Sequence, residues 1–197
     1  ALPIWDGVVK VTADWTQHNW LRRASKPPFG PMGIAYETNR AGAELSLSLP
    51  QDILTQGPIK VTALYGRTPG HRPFSLVVKE QTLRFIDFTS EHKIPTPDNA
   101  APKGSSTPPP PSTLGMAEVL LPPGATELRL VTEPAIGRAT PLYFFGFLIQ
   151  TDTAKVEYDA LGVGSTRPVH LAERGDDTVS AYIQHRQPDL VMTWFGS

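Results

Sequence analysis

The sequence predicts a mainly β protein: a jelly-roll-type antiparallel β-sandwich followed by a partial α/β unit. Polar and apolar residues alternate with a period of two through the first three quarters of the chain. Proline is frequent, with 21 in 197 residues, and this composition disfavours long helices. Near residue 153 the pattern changes to a strand, a glycine turn and a helical period, which is the order of a parallel βαβ crossover.

Short strands separated by turns account for the predicted sandwich. The clearest alternation covers residues 44–49, 59–65 and 127–130. Further strand candidates are 8–12, 33–38, 74–79, 82–88 and 116–121. Residues 142–149 are apolar on both faces, so we expect a central strand or one whose outer face is covered by another domain. Eight or nine such strands, with no helical period before about residue 165, predict two packed sheets.

One proline-rich stretch, residues 94–115, interrupts the strand pattern. It combines a run of four prolines at 108–111 with Ser, Thr, Asn and Gly. We expect an extended surface loop of the sandwich there, because this composition favours neither helix nor strand.

The last forty-odd residues predict one strand–helix–strand unit. Residues 155–158 are strand-like, and Asp177 is placed to cap a helix whose apolar positions fit one face. Pro188 ends that helix, and 190–195 is an almost continuous apolar strand pattern. The predicted domains are therefore a sandwich at 1–153 and an incomplete α/β segment at 154–197.

Composition and charge exclude several functions. The net charge is −1, which gives no electrostatic attraction to nucleic acid. No apolar run reaches the ~18 residues that span a membrane. There is no cysteine, and the five histidines have no metal-ligand spacing, so we expect neither a metal site nor a cofactor.

The end of the chain resembles the SGNH (GDSL-type) hydrolases. The resemblance lies in 156–165, 186–191 and 194–197, which read VEYDALGVGS, RQPDLV and WFGS. It implies that the turn at Gly164 and Ser165 contributes a backbone N–H to an oxyanion hole. In the family an asparagine is common where Gly164 stands, and a glycine is expected at Ser165.

Four earlier segments resemble the jelly-roll, carbohydrate-binding-like domain that some bacterial SGNH enzymes carry as an insertion. They read DWT at 14–16, FGPMG at 29–33, VTALY at 61–65 and YFFGF at 143–147. The family's Gly-Asp-Ser nucleophile motif and Asp-x-x-His pair are missing, and the chain stops before the asparagine of the third block. We therefore expect an internal fragment, cut at both ends, that does not catalyse alone.

The function implied by this resemblance is serine acyl transfer that deacetylates a polysaccharide or peptidoglycan. The implied partners are that glycan and the remainder of the SGNH domain, in a periplasmic, cell-surface or secreted protein. Ser165, His170 and Asp176 are close in sequence, but a triad is defined by geometry, and we do not assign one.

Three residues are the candidate sugar ligands of the sandwich. Trp20 lies in a polar stretch and is the aromatic residue expected to be exposed, with Asp14 and Arg22 as polar partners. Two alternatives remain open: a non-catalytic carbohydrate-binding sandwich, and an envelope assembly protein that kept an inactive hydrolase scaffold.

Overall fold

The computed structural model describes residues 9–19, 29–87, 114–153 and 177–192. Ten strands and two helices lie in these ranges. The strands are β1 (Val9–Val11), β2 (Thr16–Asn19), β3 (Ile34–Thr38), β4 (Glu44–Ser48), β5 (Ile59–Gly66), β6 (Phe74–Val78), β7 (Gln81–Ile86), β8 (Leu114–Leu120), β9 (Glu127–Thr132) and β10 (Leu142–Thr151). The helices are α1 (Gln51–Leu54) and α2 (Asp177–Arg186).

The strands form two five-stranded antiparallel sheets. The first sheet has the order β1-β4-β9-β6-β7, and the second has the order β2-β3-β10-β5-β8. Strand β3 pairs with β10, β4 with β9, β5 with β8, and β6 with β7. These nested pairs are the winding of a jelly roll, and β1 and β2 add one edge strand to each sheet. The predicted antiparallel sandwich is confirmed.

A continuous apolar core fills the space between the two sheets. Leu45, Leu76 and Leu130 of the first sheet pack with Val61 and Phe144 of the second, and all five side chains are fully buried. In strands such as β4 and β9 every second residue contributes, which explains the alternation in their sequences. Because each large side chain contributes about 1.5–3 kcal/mol on burial, this layer is the main source of the sandwich's stability.

The second sheet is buried on its outer face as well. Leu64 and Phe145 point away from the main core and pack with Leu114 and with Tyr182 of α2. Tyr182 is 1% exposed, and His185 of the same helix lies 3.5 Å from the Glu118 carboxylate of β8. Strand β10 is therefore both central in its sheet and covered on both faces, as its apolar sequence requires.

Nine of the ten strands were predicted, with boundaries shifted by a few residues. The exception is β2 (Thr16–Asn19), whose sequence TQHN is polar throughout. The predicted absence of helix before residue 165 is wrong, because Gln51–Leu54 forms one helical turn after Pro50. The predicted loop at 94–115 is wrong at its end, where Leu114 and Gly115 already belong to β8.

The predicted βαβ unit is supported only in its helix. Helix α2 begins at Asp177 and ends at Arg186, followed by Gln187 at φ 46° and then Pro188. The predicted strand 190–195 is wrong in its described part. Leu190–Met192 belong to no strand and are exposed, since no neighbouring strand offers them a ladder of hydrogen bonds in the described structure. Residues 155–158 lie outside the described ranges, and the domain boundary at 153 stays a prediction.

Within the described ranges, no helix has both the length and the apolar composition that a membrane span needs.

The close approach of Tyr65 to Gly115 yields a prediction about stability. The two residues are opposite each other on β5 and β8, and a Cβ on Gly115 would lie 2.3 Å from Cζ of the Tyr65 ring. We expect Gly115→Ala to lower the free energy of unfolding by about 1–3 kcal/mol, as overpacking does. Urea unfolding measures this change.

A double-mutant cycle separates this overlap from other effects of the substitution. Tyr65→Leu removes the ring, so it should cost less in the Gly115→Ala background than in the wild type. If the losses in free energy of unfolding from the two substitutions are strictly additive, the Tyr65 ring does not clash with a side chain at position 115.

Candidate functional site

The outer face of the first sheet is left uncovered by the described elements. Both described helices pack elsewhere: the apolar residues of α1 pack against the inter-sheet core, and α2 packs on the second sheet. The side chains on this open face are Lys10, Glu44, Ser46, Ser48, Ser75, Val77, Thr82, Phe85, Glu127, Arg129 and Val131. We call this set the open face.

The strand registers order these side chains into rows across the sheet. One row runs Glu44, Val131, Ser75, Phe85. The next row runs Lys10, Ser46, Arg129, Val77, Thr82. Neighbouring strands are about 4.8 Å apart, so each row places its functional groups at regular short intervals across the surface.

Arg129 lies at the centre of the open face and is held there by three acceptors. Its Nη1 lies 3.3 Å from Glu44 Oε1, and its Nη2 lies 3.6 Å from Glu80 Oε1. Nη2 also donates to the Lys79 carbonyl. The side chain is 26% exposed, so the fixed guanidinium plane still has an accessible edge. A planar, positioned set of donors is suited to polar groups with fixed geometry.

A groove runs beside Arg129 along the β6–β7 turn. It encloses about 490 Å³, and its walls are Glu44, Val78, Lys79, Glu80, Thr126, Glu127 and Arg129. A second cavity of about 490 Å³ shares Val78, Lys79 and Glu80 with it and continues along Gln81 and residues 122–125. The two cavities therefore lie side by side at the β6–β7 turn.

Hydroxyl groups and one exposed ring complete the open face. Ser75 donates to Glu133 Oε1 at 2.8 Å, and the facing edge strand carries Phe85, which is 53% exposed. Ser46 and Ser75 are 8% and 3% exposed, so the hydroxyls that reach the surface of this face are those of Ser48 and Thr82. The face therefore presents these two hydroxyls and an exposed apolar ring.

A separate polar cluster lies at the edge of the second sheet. His18 Nε2 is 2.7 Å from Glu37 Oε2, which joins edge strand β2 to β3. Burial raises the pKa of the Tyr143 phenol above its ordinary value, and the nearby Glu37 carboxylate raises it further. Tyr143 also packs against the cluster that includes Tyr182, so this group of residues supports the covered side of the sandwich.

Of the sequence-predicted sugar ligands, Asp14 is the one within the described residues, and it does not lie on the open face. Asp14 forms an ion pair with Arg40 at 2.9 Å, and its carbonyl accepts a hydrogen bond from Thr38 Oγ1. These contacts tie the β1–β2 turn to the β3–β4 turn at the loop end of the sandwich. Trp20, Arg22, Gly164 and Ser165 lie outside the described residues, and their roles stay predictions.

The residues of the open face were missed by sequence reasoning, although their pattern was visible. Glu44, Ser46 and Ser48 alternate with leucines, and that alternation was used only as evidence for a strand. The alternation shows that these side chains share one face. It does not show that Arg129 and Phe85, which are distant in sequence, share that face with them.

Metal binding finds no support in the described structure. Across those ranges, no three or more His, Asp or Glu side chains are grouped so that they could hold a metal ion.

Comparison with known proteins gives distant structural similarities. The sequence matches no protein-family model, and no curated protein matches it significantly. One similar solved structure is the module CsCBM6-3 from Clostridium stercorarium, in complex with cellobiose. The two chains are 14% identical with a TM-score of 0.36, over 70% of this chain and 94% of that one. A similarity of this size carries no weight for the ligand of this chain.

Tyr143 gives a prediction for alkaline pH. Because its folded pKa is raised, the folded state holds the phenol proton more tightly than the unfolded state does. The stabilisation is fully present below the unfolded value of about 10 and is lost as the pH rises through the folded value. We expect Tyr143→Phe to reduce the fall in the free energy of unfolding above about pH 10. Urea unfolding at a series of pH values from neutral to alkaline measures this fall. If the free energy of unfolding falls equally steeply with pH in both proteins, the assignment to Tyr143 is contradicted.

Proposed function

We propose that this chain is a non-catalytic carbohydrate-binding β-sandwich whose ligand lies along the open face. The observation that carries the proposal is the guanidinium of Arg129 held beside Glu44 and Glu80, with the exposed Thr82 in the same row and the exposed ring of Phe85 in the neighbouring row. A sugar ring has hydroxyl groups around its edge and C–H groups on its faces. Hydrogen-bonding side chains can bind the sugar hydroxyls, and an aromatic ring can pack against the C–H groups.

The shape and polarity of the open face favour a polysaccharide over a small molecule or a protein. The groove beside Arg129 has the exposed side chains of Glu80 and Glu127 among its walls, whereas small-molecule pockets bury most of their ligand. Protein interfaces are depleted of charged residues at their centre, but the centre here is the Arg129–Glu44 pair. An extended glycan that contacts the sheet through its hydroxyls fits both properties.

The larger assignment, to a cell-envelope polysaccharide esterase of SGNH type, is a proposal that rests on sequence resemblance alone. Its oxyanion-hole residues, Gly164 and Ser165, lie outside the described ranges. Helix α2 is the element of that domain that falls within the described structure. In such an enzyme, which would act in the periplasm, at the cell surface or outside the cell, the sandwich would hold the polysaccharide for a neighbouring catalytic domain.

The exposed ring of Phe85 gives the first test of glycan binding. We expect Phe85→Ala to weaken binding to the best polysaccharide of a soluble panel about two- to tenfold, because ring contacts of this kind contribute about 0.5–1.5 kcal/mol. Titration calorimetry or affinity electrophoresis measures the change. The matched control is Leu120→Ala, which removes an exposed apolar side chain from the edge strand of the second sheet.

The fixed guanidinium of Arg129 gives the second test. Arg129→Lys keeps the charge but removes the planar pair of donors, so we expect binding about tenfold weaker or more, with an unchanged circular dichroism spectrum. Arg84→Lys is the control. Arg84 lies on edge strand β7, where its Nη1 donates to the Glu118 carbonyl of the second sheet. Equal losses from both lysine variants, or wild-type binding by Arg129→Lys, would refute the proposed site.

A further inference from the structure

We infer that the open face selects uncharged polysaccharides and rejects acidic ones, an inference that rests on the proposed function. Its basis is the way charge is distributed around Arg129. A face that bound polyuronates or other polyanionic chains would need cationic groups free to meet their carboxylates.

The central cation of the open face is already neutralised. The Arg129 guanidinium contacts the carboxylates of Glu44 and Glu80 and also donates to the Lys79 carbonyl. A ligand carboxylate at this position would have to displace a protein carboxylate or lie beside it. Because like charges at such distances repel, an acidic sugar unit is disfavoured where the donors are best placed.

The walls of the groove carry a small negative excess. Their cations are Lys79 and Arg129, and their carboxylates are Glu44, Glu80 and Glu127. Glu127 is exposed on the wall of the groove, where it would face a bound chain. The net charge of this set is −1, which repels a polyanion and leaves a neutral chain unaffected.

The experiment compares matched neutral and acidic polysaccharides with the wild-type chain. The neutral probes are xylan, glucomannan and mixed-linkage β-glucan, and the acidic probes are polygalacturonate and alginate, each titrated at about 20 mM and 500 mM NaCl. We expect binding to at least one neutral polysaccharide with little dependence on salt. Acidic polysaccharides should bind at least tenfold more weakly at low salt, with a smaller difference at high salt, where repulsion is screened.

The experiment distinguishes failure of the charge inference from failure of the proposed carbohydrate binding. Equal or tighter binding to the acidic probes would overturn the charge inference and leave the proposed carbohydrate binding standing. Absence of binding to every probe would overturn both claims.

A charge-neutralising variant tests the role of the groove directly. We expect Glu127→Gln to raise the affinity for polygalacturonate severalfold at low salt, because it removes a carboxylate from the groove wall without changing the side-chain shape. Glu118→Gln makes the same change of net charge on the second sheet, near Lys60 and His185. If Glu118→Gln raises the affinity as much as Glu127→Gln does, the effect comes from overall net charge and the inference fails.

Discussion

Strand β10 must be buried on both faces, and this requirement determines which face of the sandwich helix α2 covers. Phe144 and Phe147 point into the core between the sheets, where their ring centroids are 4.8 Å apart. Phe145 points the other way and would expose a large apolar surface without α2. The burial of Tyr182 against Leu64 and Phe145 satisfies that need and assigns α2 to the second sheet.

The polar character of the open face follows from the same arrangement, in which α2 covers the second sheet and not the first. Besides Val77, Val131 and Phe85, the outer positions of the first sheet carry serines, a threonine and charged side chains that are compatible with water. Arg129 is kept in one orientation by Glu44, Glu80 and the Lys79 carbonyl, so little conformational entropy remains to be lost on binding. A sheet face of this kind is a preorganised surface for a hydrogen-bonding chain such as a polysaccharide.

The sequence could predict the sandwich because its strands alternate strictly, as in Leu45, Leu47 and Leu49. Strand β2 escaped prediction because an edge strand with the sequence TQHN needs no apolar face and carries no period. The prediction of a strand at 190–192 failed for a different reason. A short apolar run looks like a buried strand, but only a hydrogen-bonding neighbour makes it one.

The candidate site was less accessible to sequence reasoning than the fold. Its residues come from β4, β6, β7 and β9, and their proximity depends on a register between strands far apart in the chain. The signals in the sequence instead favour aromatic residues in polar stretches, such as Trp20. Asp14 illustrates the limit, because its carboxylate is engaged by Arg40 of a turn that is 26 residues away.

The most direct measurement is a two-dimensional NMR titration of the isotope-labelled chain with a polysaccharide that it binds. The account predicts that amide shifts change mainly at the described residues of β4, β6 and β9 and at the β6–β7 turn, while those of α2 and of the outer face of the second sheet stay constant. Shift changes confined to α2, or to the loop end around Asp14 and Arg40, would contradict the assignment of the open face as the binding surface.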